Sequence, residues 1–342
     1  MTNYKYALEG YYLYWGDKEA TFNTPSDTTT NLETDNFYWF PMEHQNTIVV
    51  KRVRKRYHRH ISGYTDEGST GHEGYEPLEI TLTGPMWNLD MLYFLCKHAD
   101  NSGASAPYTH DTITTDARLH DCTFPIFARQ ENDGADVFKL FTGCIVKKWY
   151  IDWEQGGQAI LTIEMQLGRE WTGTMLKTDS VETWPTKPTQ PFGPSEITKT
   201  FKKATTAYDG YISRFHFEWD DRAQLDVYDV QAVDHSLGFR SIFIDFDFVS
   251  KYQTDWTDSQ DKTNFDAHNR DIDIGLNFIR TASNDEVLIS MEKLCWIAPP
   301  TADFTHNEQY EKRHYKMGMD VDESGYKTTI TIHDSNDDTR YK

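Results

Sequence analysis

The sequence predicts a mainly β fold, arranged as two tandem β domains of similar size. Aromatic residues make up 14% of the chain, with 20 Tyr, 19 Phe and 10 Trp, and such side chains favour pleated, half-buried surfaces. Apolar and polar residues also alternate with a period of two over long stretches, as in strands that bury one face. Finally, a segment with four prolines near the middle of the chain indicates an extended linker.

The clearest predicted element is a long β-hairpin in the first half. Apolar residues alternate through 138–153 and again through 159–167. Between them, Glu154-Gln155-Gly156-Gly157 is typical of a hairpin turn. The predicted buried face consists of Phe141, Ile145, Trp149, Ile151, Trp153, Ala159, Leu161, Ile163, Met165 and Leu167. The opposite face, which carries Glu164, is predicted to be acidic and to contact solvent.

Four more strands are predicted in the second half, over 215–219, 242–248, 272–278 and 326–333. In three of them, polar residues, most of them acidic, alternate with aliphatic or aromatic residues. The outward carboxylates of the second and third strands are Asp245, Asp247, Asp271 and Asp273. This alternation predicts a solvent-facing sheet surface rather than a catalytic pair of acids.

One helix is predicted after the strand 78–82, from which Gly84-Pro85 separates it. Asn88 is a suitable N-cap, and His98 suits the negative end of the helix dipole. Residues 89–96 are apolar nearly all round, so the helix is expected to be buried against a sheet or a neighbouring subunit.

The predicted domains are 1–177, with long loops, and 196–342, joined by the proline-rich linker 178–195. Similar segments occur in the same order in both domains, which favours a duplication. Residues 11–18 and 215–222 are each an aromatic strand that ends in Trp, followed by an acid and a base. Residues 152–163 and 320–332 each place an acidic, Gly-containing turn before an apolar–Thr–apolar strand.

Composition excludes several classes of function. The net charge is −20, from 34 basic and 54 acidic residues, which argues against a protein that grips nucleic acid or anionic membranes. No apolar stretch is long enough for a membrane helix, and the N-terminus lacks the pattern of a signal peptide. The four cysteines form no CxxC motif and are expected to be free thiols in a reducing compartment.

Motifs for catalysis or cofactor binding are missing from the sequence. There is no Gly-rich phosphate loop, no GxSxG and no HExxH. The contiguous His120-Asp121-Cys122 is not expected to form a catalytic dyad, because adjacent residues of a strand point to opposite faces. His58, His60 and His72 lack the second ligand pair of a metal site. We therefore expect no enzyme, no cofactor and no metal.

The single strongly basic run is 51–60, where every second residue from Arg52 to His60 is basic. On a strand these side chains would share one face. Three interpretations remain open: a contact with an acidic neighbouring subunit, a solvated face, or a nucleic-acid contact. The acidic charge elsewhere favours the subunit contact.

Five elements follow one another through 78–171: the strand 78–84, the predicted helix, the small-residue loop 102–110, the strand 122–126, and the Thr-Gly-Cys strand 139–148 before the hairpin. In these elements the region resembles tail tube proteins of long-tailed bacterial or archaeal viruses. The second half matches only in the order of its elements.

This resemblance implies tandem tube-like β-sandwich or barrel domains, each with a flanking helix, whose sheets join across subunits into a ring. Rings stack into a hollow tube through which viral DNA passes without specific binding, and an acidic lumen prevents adhesion. Two domains per chain imply trimeric rings with pseudo-sixfold symmetry. The implied partners are further copies of the chain and the tail terminator, baseplate and tape-measure proteins. The implied location is the virion tail, after assembly in the host cytoplasm.

Two sets of residues are predicted to serve these roles. Candidates for the acidic lumen face are Glu164, Asp245, Asp247, Asp271 and Asp273. Candidates for contacts between subunits or rings are Arg52, Arg54, Arg56, His58, His60, Tyr64 and Tyr75.

Two alternative functions remain. The first is another tail component with the same fold, such as a terminator, baseplate or hub protein. The second is a β-sandwich that binds or hydrolyses carbohydrate, in which exposed Trp side chains would stack on sugars. The predicted burial of Trp149, Trp153 and Trp219 argues against the second.

Overall fold

The computed structural model describes residues 4–9, 11–23, 37–43, 47–52, 78–98, 108–113, 122–130, 137–170, 190–203, 206–208, 210–228, 231–250, 272–280, 285–303, 311–319 and 327–334. The first half contains the strands β1 (Tyr4–Glu9), β2 (Tyr11–Gly16), β3 (Phe37–Trp39), β4 (Thr47–Arg52), β5 (Leu78–Pro85), β6 (Tyr108–Ile113), β7 (Phe124–Gln130), β8 (Val137–Glu154), β9 (Ile160–Leu167) and β10 (Arg169–Glu170). It also contains the helix α1 (Leu92–Cys96).

The second half begins with a 3-10 turn, Pro194–Glu196. Its strands are β11 (Ile197–Lys203), β12 (Thr206–Ala207), β13 (Gly210–Asp220), β14 (Gln224–Tyr228), β15 (Gln231–Ser236), β16 (Ser241–Ser250), β17 (Ile272–Arg280), β18 (Asp285–Asp303), β19 (Glu311–Met319) and β20 (Lys327–Asp334). The prediction of a mainly β protein is confirmed. The α-helix that the resemblance implied for the second half is not found among its described residues.

Eighteen strands belong to one antiparallel sheet, and β14 and β15 form a separate hairpin. Nine of these strands form a run of neighbours, here called the main sheet, in the order β1-β4-β5-β9-β8-β13-β16-β19-β18. It passes from the first half to the second where Lys148–Glu154 of β8 pairs with Arg214–Asp220 of β13. We call this pairing the β8–β13 junction.

Two long strands, β8 and β18, connect the main sheet to further layers. The first part of β8 pairs with β7, which continues through β2 to β3. The first part of β18 pairs with β17 and β20, and these continue to β11 and β6 respectively. The predicted hairpin is confirmed as β8 and β9, and its ten predicted core residues are all buried.

Aromatic contacts show how the layers pack in the second half. Phe201 of β11 lies 5.1 Å from Phe246 and 5.7 Å from Tyr315 of the main sheet, between ring centroids. Phe278 of β17 lies 6.5 Å from Phe215 of β13. The β11–β17 layer therefore covers the inner face of the main sheet, and the two enclose an apolar core.

In the first half, α1 fills the space between the main sheet and the β2–β7 layer. Trp149 of β8 donates its indole N–H to the carbonyl of Leu95, at 3.0 Å. On the other side, the ring of Phe94 lies 4.6 Å from that of Phe124 and 5.8 Å from that of Trp15. All five residues of α1 are buried, as its all-round apolar sequence predicted.

The ends of α1 differ from the prediction. The Asn88 side chain accepts a hydrogen bond from the Asp90 N–H at 3.2 Å and so stabilises the preceding turn, while the helix itself begins at Leu92. Lys97 ends the helix in the left-handed conformation, with φ of 53°. Its ammonium group, rather than His98, donates to the helix carbonyl of Phe94, at 3.3 Å. His98 instead contacts Arg240.

The last residues of the predicted linker pack against the strands. The Phe192 side chain is buried, and its N–H donates to the carbonyl of Met86 at 2.9 Å. The guanidinium of Arg280, on β17, lies 4.7 Å from the centre of the Phe192 ring. Positions 171–189 lie outside the described residues.

The strand pairing of the first half recurs in the second. In the first half β1 pairs with β4, β4 with β5, β5 with β9, and β2 with β3. In the second half β11 pairs with β17, β17 with β18, β18 with β20, and β13 with β16. These strands follow the same order along the chain in both halves. The two predicted aromatic segments, 11–18 and 215–222, fall on β2 and β13, which take equivalent places in the two schemes.

Candidate functional site

The outward side chains of β9, β8, β13, β16 and β19 form one surface that crosses the β8–β13 junction; we call it the charged face. Residues directly opposite in neighbouring strands share a face. Lys148 lies opposite Glu164, and His216 lies opposite both Asp152 and Asp245. The charged face includes Lys148, Tyr150, Asp152, Glu164, Arg214, His216, Glu218, Phe243, Asp245, Asp247, Lys312 and His314.

Asp247 is the centre of one cluster on the charged face. Its carboxylate accepts Arg214 Nε at 3.1 Å and lies 3.0 Å from both Lys312 Nζ and His314 Nδ1. Arg214 also reaches Asp245, at 3.1 Å. Asp247 is buried rather than solvent-exposed as predicted, because these cations cover it. Burial opposes its ionisation, but the hydrogen bonds from Arg214, Lys312 and His314 outweigh this and lower its pKa to about 2. This carboxylate is therefore charged at any pH above the acid range.

His216 is the centre of a second cluster, which spans the two halves of the chain. Its Nδ1 lies 2.7 Å from Asp152 of β8, and its Nε2 lies 3.6 Å from Glu218. Lys148 in turn contacts Glu218 at 3.6 Å and Glu164 at 3.4 Å. Burial alone would lower the pKa of His216, but hydrogen bonds to Asp152 and Glu218 raise it to about 9. His216 is therefore an imidazolium at neutral pH.

The predicted lumen residues separate into two places. Glu164, Asp245 and Asp247 come together on the charged face, where each is paired with a cation. Asp273 lies on β17, alternates away from the buried Ile274, and so faces outward from the other layer, where it accepts the Lys293 N–H at 3.1 Å. The charged face is thus an array of ion pairs rather than a purely acidic surface. Asp271 lies outside the described residues.

The predicted contact residues are mostly beyond the described ranges. Arg52 is the last residue of β4 and pairs in register with Leu78 and Tyr4. Arg54, Arg56, His58, His60, Tyr64 and Tyr75 lie outside the described residues.

A shallow polar groove of about 380 Å³ opens at one end of the β8–β13 junction. It is lined by Lys147, Lys148, Glu164, Gln166, Asp220, Arg222, Ala223 and Gln224. Three cations and two carboxylates line it together, so it offers no concentrated charge to a single ionic ligand.

Beneath this end of the junction lies a buried ionic cluster that the sequence analysis missed. Asp221 contacts Lys97 at 3.2 Å and Arg240 at 2.8 Å, and accepts the indole N–H of Trp219 at 3.1 Å. Burial opposes ionisation of Asp221, but the charges of Lys97 and Arg240 outweigh it and lower its pKa. Arg240 also contacts His98 at 2.7 Å, so the cluster ties α1 to the second half. The only signal in the sequence is Lys97 at the end of an otherwise apolar helix.

A second buried acid, Glu19, holds the chain after β2 against β8. Its two oxygens accept the backbone N–H groups of Gly143, at 2.8 Å, and Asn23, at 3.1 Å. Burial raises the pKa of Glu19 to about 7 despite these hydrogen bonds. Its side chain is therefore partly protonated near neutral pH.

Within the described part of the chain, Cys122 contacts a histidine of the second half, His235 of the β14–β15 hairpin. Cys122 Sγ lies 3.6 Å from His235 Nε2, and His235 stacks on Phe22 at 6.2 Å. Cys122 is fully buried, as is typical of structural rather than reactive thiols. The pair attaches the hairpin of the second half to the first half. His120 lies outside the described residues.

Other features bear on the alternative functions. Trp149, Trp153 and Trp219 are buried, which confirms their predicted place in the core. All four cysteines are free thiols. Within the described ranges, no three His, Cys, Asp or Glu side chains group closely enough to hold a metal ion. No helix in the same ranges has the length and apolar character needed to cross a membrane.

No protein-family model matches this chain. A search of curated proteins likewise finds no significant match.

Proposed function

We propose that the protein is a structural subunit of a viral tail tube, which polymerises into stacked rings around a channel for DNA. The observation that supports it most is the main sheet, which runs through both halves of the chain across the β8–β13 junction. A ring of repeated β domains needs this kind of edge-to-edge joint, within a chain and then between chains.

Edges for such joints exist in the described part of the chain. There, β1 pairs on one side only, with β4, and β6 pairs on one side only, with β20. Edge strands present backbone N–H and C=O groups that a strand of another copy can bind. The proposal assigns these edges, with the basic run 51–60, to contacts between copies.

The repeated pairing scheme supports the proposed ring symmetry. Four strand pairs of the first half have counterparts in the second, in the same order. Two similar units per chain would let three copies form a ring with six similar positions. When the ring closes, every sheet edge that takes part in it is paired with a strand of a neighbouring domain.

The charged face is our candidate for the lumen wall. Its cations Lys148, Arg214 and His216 are each engaged by carboxylates of the same face. Cations held in this way are poor partners for phosphate, because binding DNA would require breaking existing ion pairs. A wall of this kind would let DNA pass without retaining it.

The alternatives are weaker but can be tested together with the proposal. A terminator, baseplate or hub protein would share the fold and form rings without long tubes. A carbohydrate-binding role is opposed by the burial of Trp149, Trp153 and Trp219, which leaves these rings unable to stack on a sugar.

The test is to purify the chain and follow its assembly at rising concentration by mass photometry and negative-stain electron microscopy. Stacked rings or hollow tubes are expected, with masses in multiples of three chains. Isolated rings would favour another tail component. A monomer at every concentration would contradict both, and a glycan array would then be the next measurement.

A pair of charge reversals makes the test specific. Arg56→Glu changes the basic run and is expected to shift assembly to at least ~10-fold higher concentration through lost electrostatic complementarity. Arg222→Glu makes the same charge change at an exposed position outside that run. Equal effects of the two variants would show that the basic run has no special part in assembly.

A further inference from the structure

Lys199 occupies a position on β11 where the alternation of the strand calls for an apolar residue. Its neighbours on the same face, Ile197 and Phe201, are both buried in the core. The alternate residues Thr198 and Thr200 face the other way. Lys199 therefore points inward, between the β11–β17 layer and the main sheet, while the residue as a whole remains partly exposed.

The ammonium group of Lys199 rests on an indole. Its Nζ lies 3.4 Å from the centre of the Trp153 ring. Trp153 is itself fixed, because its N–H donates to the Gly157 carbonyl at 3.0 Å and its ring stacks on Phe215 at 5.6 Å. The amine is thus held at a defined place at the margin of the core.

Lys199 differs in its partners from Lys97, Lys148 and Lys312, each of which contacts a carboxylate. Among the described residues, no carboxylate lies within ion-pair distance of Lys199, and its ammonium group contacts the Trp153 ring. Burial without a counter-charge lowers the pKa of this amine to about 8. The indole face favours the ammonium form and partly opposes this effect.

We propose that Lys199 is a modification site, at which Nζ is acylated by donors with a good leaving group, such as acyl phosphates or thioesters. The neutral amine attacks the carbonyl carbon and forms a C–N bond. The bond from that carbon to the phosphate oxygen, or to the thiolate sulfur, breaks, and the leaving group takes the electron pair. The proton lost from nitrogen goes to water. The product is an amide, and the chain loses one positive charge.

The expected selectivity follows from the fraction of neutral amine. At pH 7.5, an ordinary lysine with a pKa near 10.4 is about 0.1% neutral, whereas an amine with a pKa of about 8 is roughly a quarter neutral. Lower intrinsic nucleophilicity and partial burial of the amine reduce this advantage. An advantage of at least ~10-fold over the ion-paired Lys148 and Lys312 is expected to remain.

The experiment treats the full chain with acetyl phosphate and follows each lysine by peptide mass spectrometry. Lys199 is expected to react at least ~10-fold faster than Lys148 and Lys312 at pH 7.5. Its rate should level off near pH 8–9, while the rate at Lys148, whose pKa is raised, continues to rise. A Lys199 rate no faster than theirs, or one still rising at pH 10, would overturn the proposal.

A matched pair of variants provides a second measurement. Lys199→Arg keeps the charge and is expected to abolish the fast phase of acetyl incorporation. Lys202→Arg makes the same change on the opposite face of β11 and is expected to keep that phase. A fast phase that survives in Lys199→Arg would place the reactive amine elsewhere. None of these outcomes depends on whether the chain assembles into tubes.

Discussion

Trp149 and Trp219 stack face to face across the β8–β13 junction, with ring centroids 6.0 Å apart and planes inclined by 19°. Each indole N–H has its own buried acceptor, the Leu95 carbonyl for Trp149 and the Asp221 carboxylate for Trp219. Because one ring belongs to each half of the chain, the halves share a packed core as well as a sheet.

Trp219→Phe should destabilise the protein by roughly 2–3 kcal/mol. The change leaves a cavity beside Trp149 and removes one hydrogen bond to the buried Asp221. Urea denaturation followed by circular dichroism measures the difference. Tyr211→Phe, at an exposed site on the same strand, is the control and should change stability by less than about 0.5 kcal/mol. Equal losses in the two variants would show that the stacked pair is not important for stability.

Asp221→Asn should cost roughly 3–5 kcal/mol, because it leaves the fully buried Lys97 without its counter-charge. Asp234→Asn removes the same charge from an exposed side chain and should be nearly neutral. The double variant Lys97→Met/Asp221→Asn should lose less than the sum of its parts. Strict additivity in this double-mutant cycle would mean that the two side chains do not interact.

His216→Asn should lose stability in a pH-dependent way. The pKa of His216 is raised to about 9, so its contribution is full below about pH 6.5 and is lost as the pH rises through 9. The difference in unfolding free energy between wild type and variant should therefore shrink from pH 7 to pH 10. A difference that stays constant over this range would show that the imidazolium makes no net contribution.

Glu19→Gln should remove a pH dependence that arises from burial of an acid, whereas that of His216 arises from its carboxylate partners. The pKa of Glu19 is raised to about 7, so the wild type is favoured while this acid is protonated and loses stability as the pH rises towards 7. Between pH 4.5 and 7.5 the wild type should lose on the order of 3 kcal/mol relative to the variant. Glu154→Gln, at the exposed hairpin turn, is the matched control. A parallel pH profile for wild type and Glu19→Gln would contradict the assignment.

Much of the local structure was predictable from periodicity. The hairpin of β8 and β9 follows from strict alternation around Gly156-Gly157, and the burial of Trp149, Trp153 and Trp219 follows from the same pattern. The end of α1 was less predictable. The helix dipole suggests His98 as the polar residue at its end, whereas Lys97 takes that role because Asp221, 124 residues away, lies beside it.

The charged face was also predictable only in part. Alternation shows that Asp245 and Asp247 point away from the core, but it does not show that Arg214 and His314 lie between and beside them. Asp273 has an identical pattern and lies on another layer, since the layer of a strand depends on its pairing partners. The inward position of Lys199 is readable as a break in alternation, but its contact with Trp153 is not.

The amphipathic strands, the turn of the β8–β9 hairpin and the burial of the core aromatic side chains can be read from the sequence, because they depend on neighbours a few residues apart. The strands that join the two halves, the acids that meet cations and the amine that lies on an indole are visible in the folded chain alone. Those relationships depend on the register and layering of strands that are distant in sequence, where many pairings satisfy the same alternation.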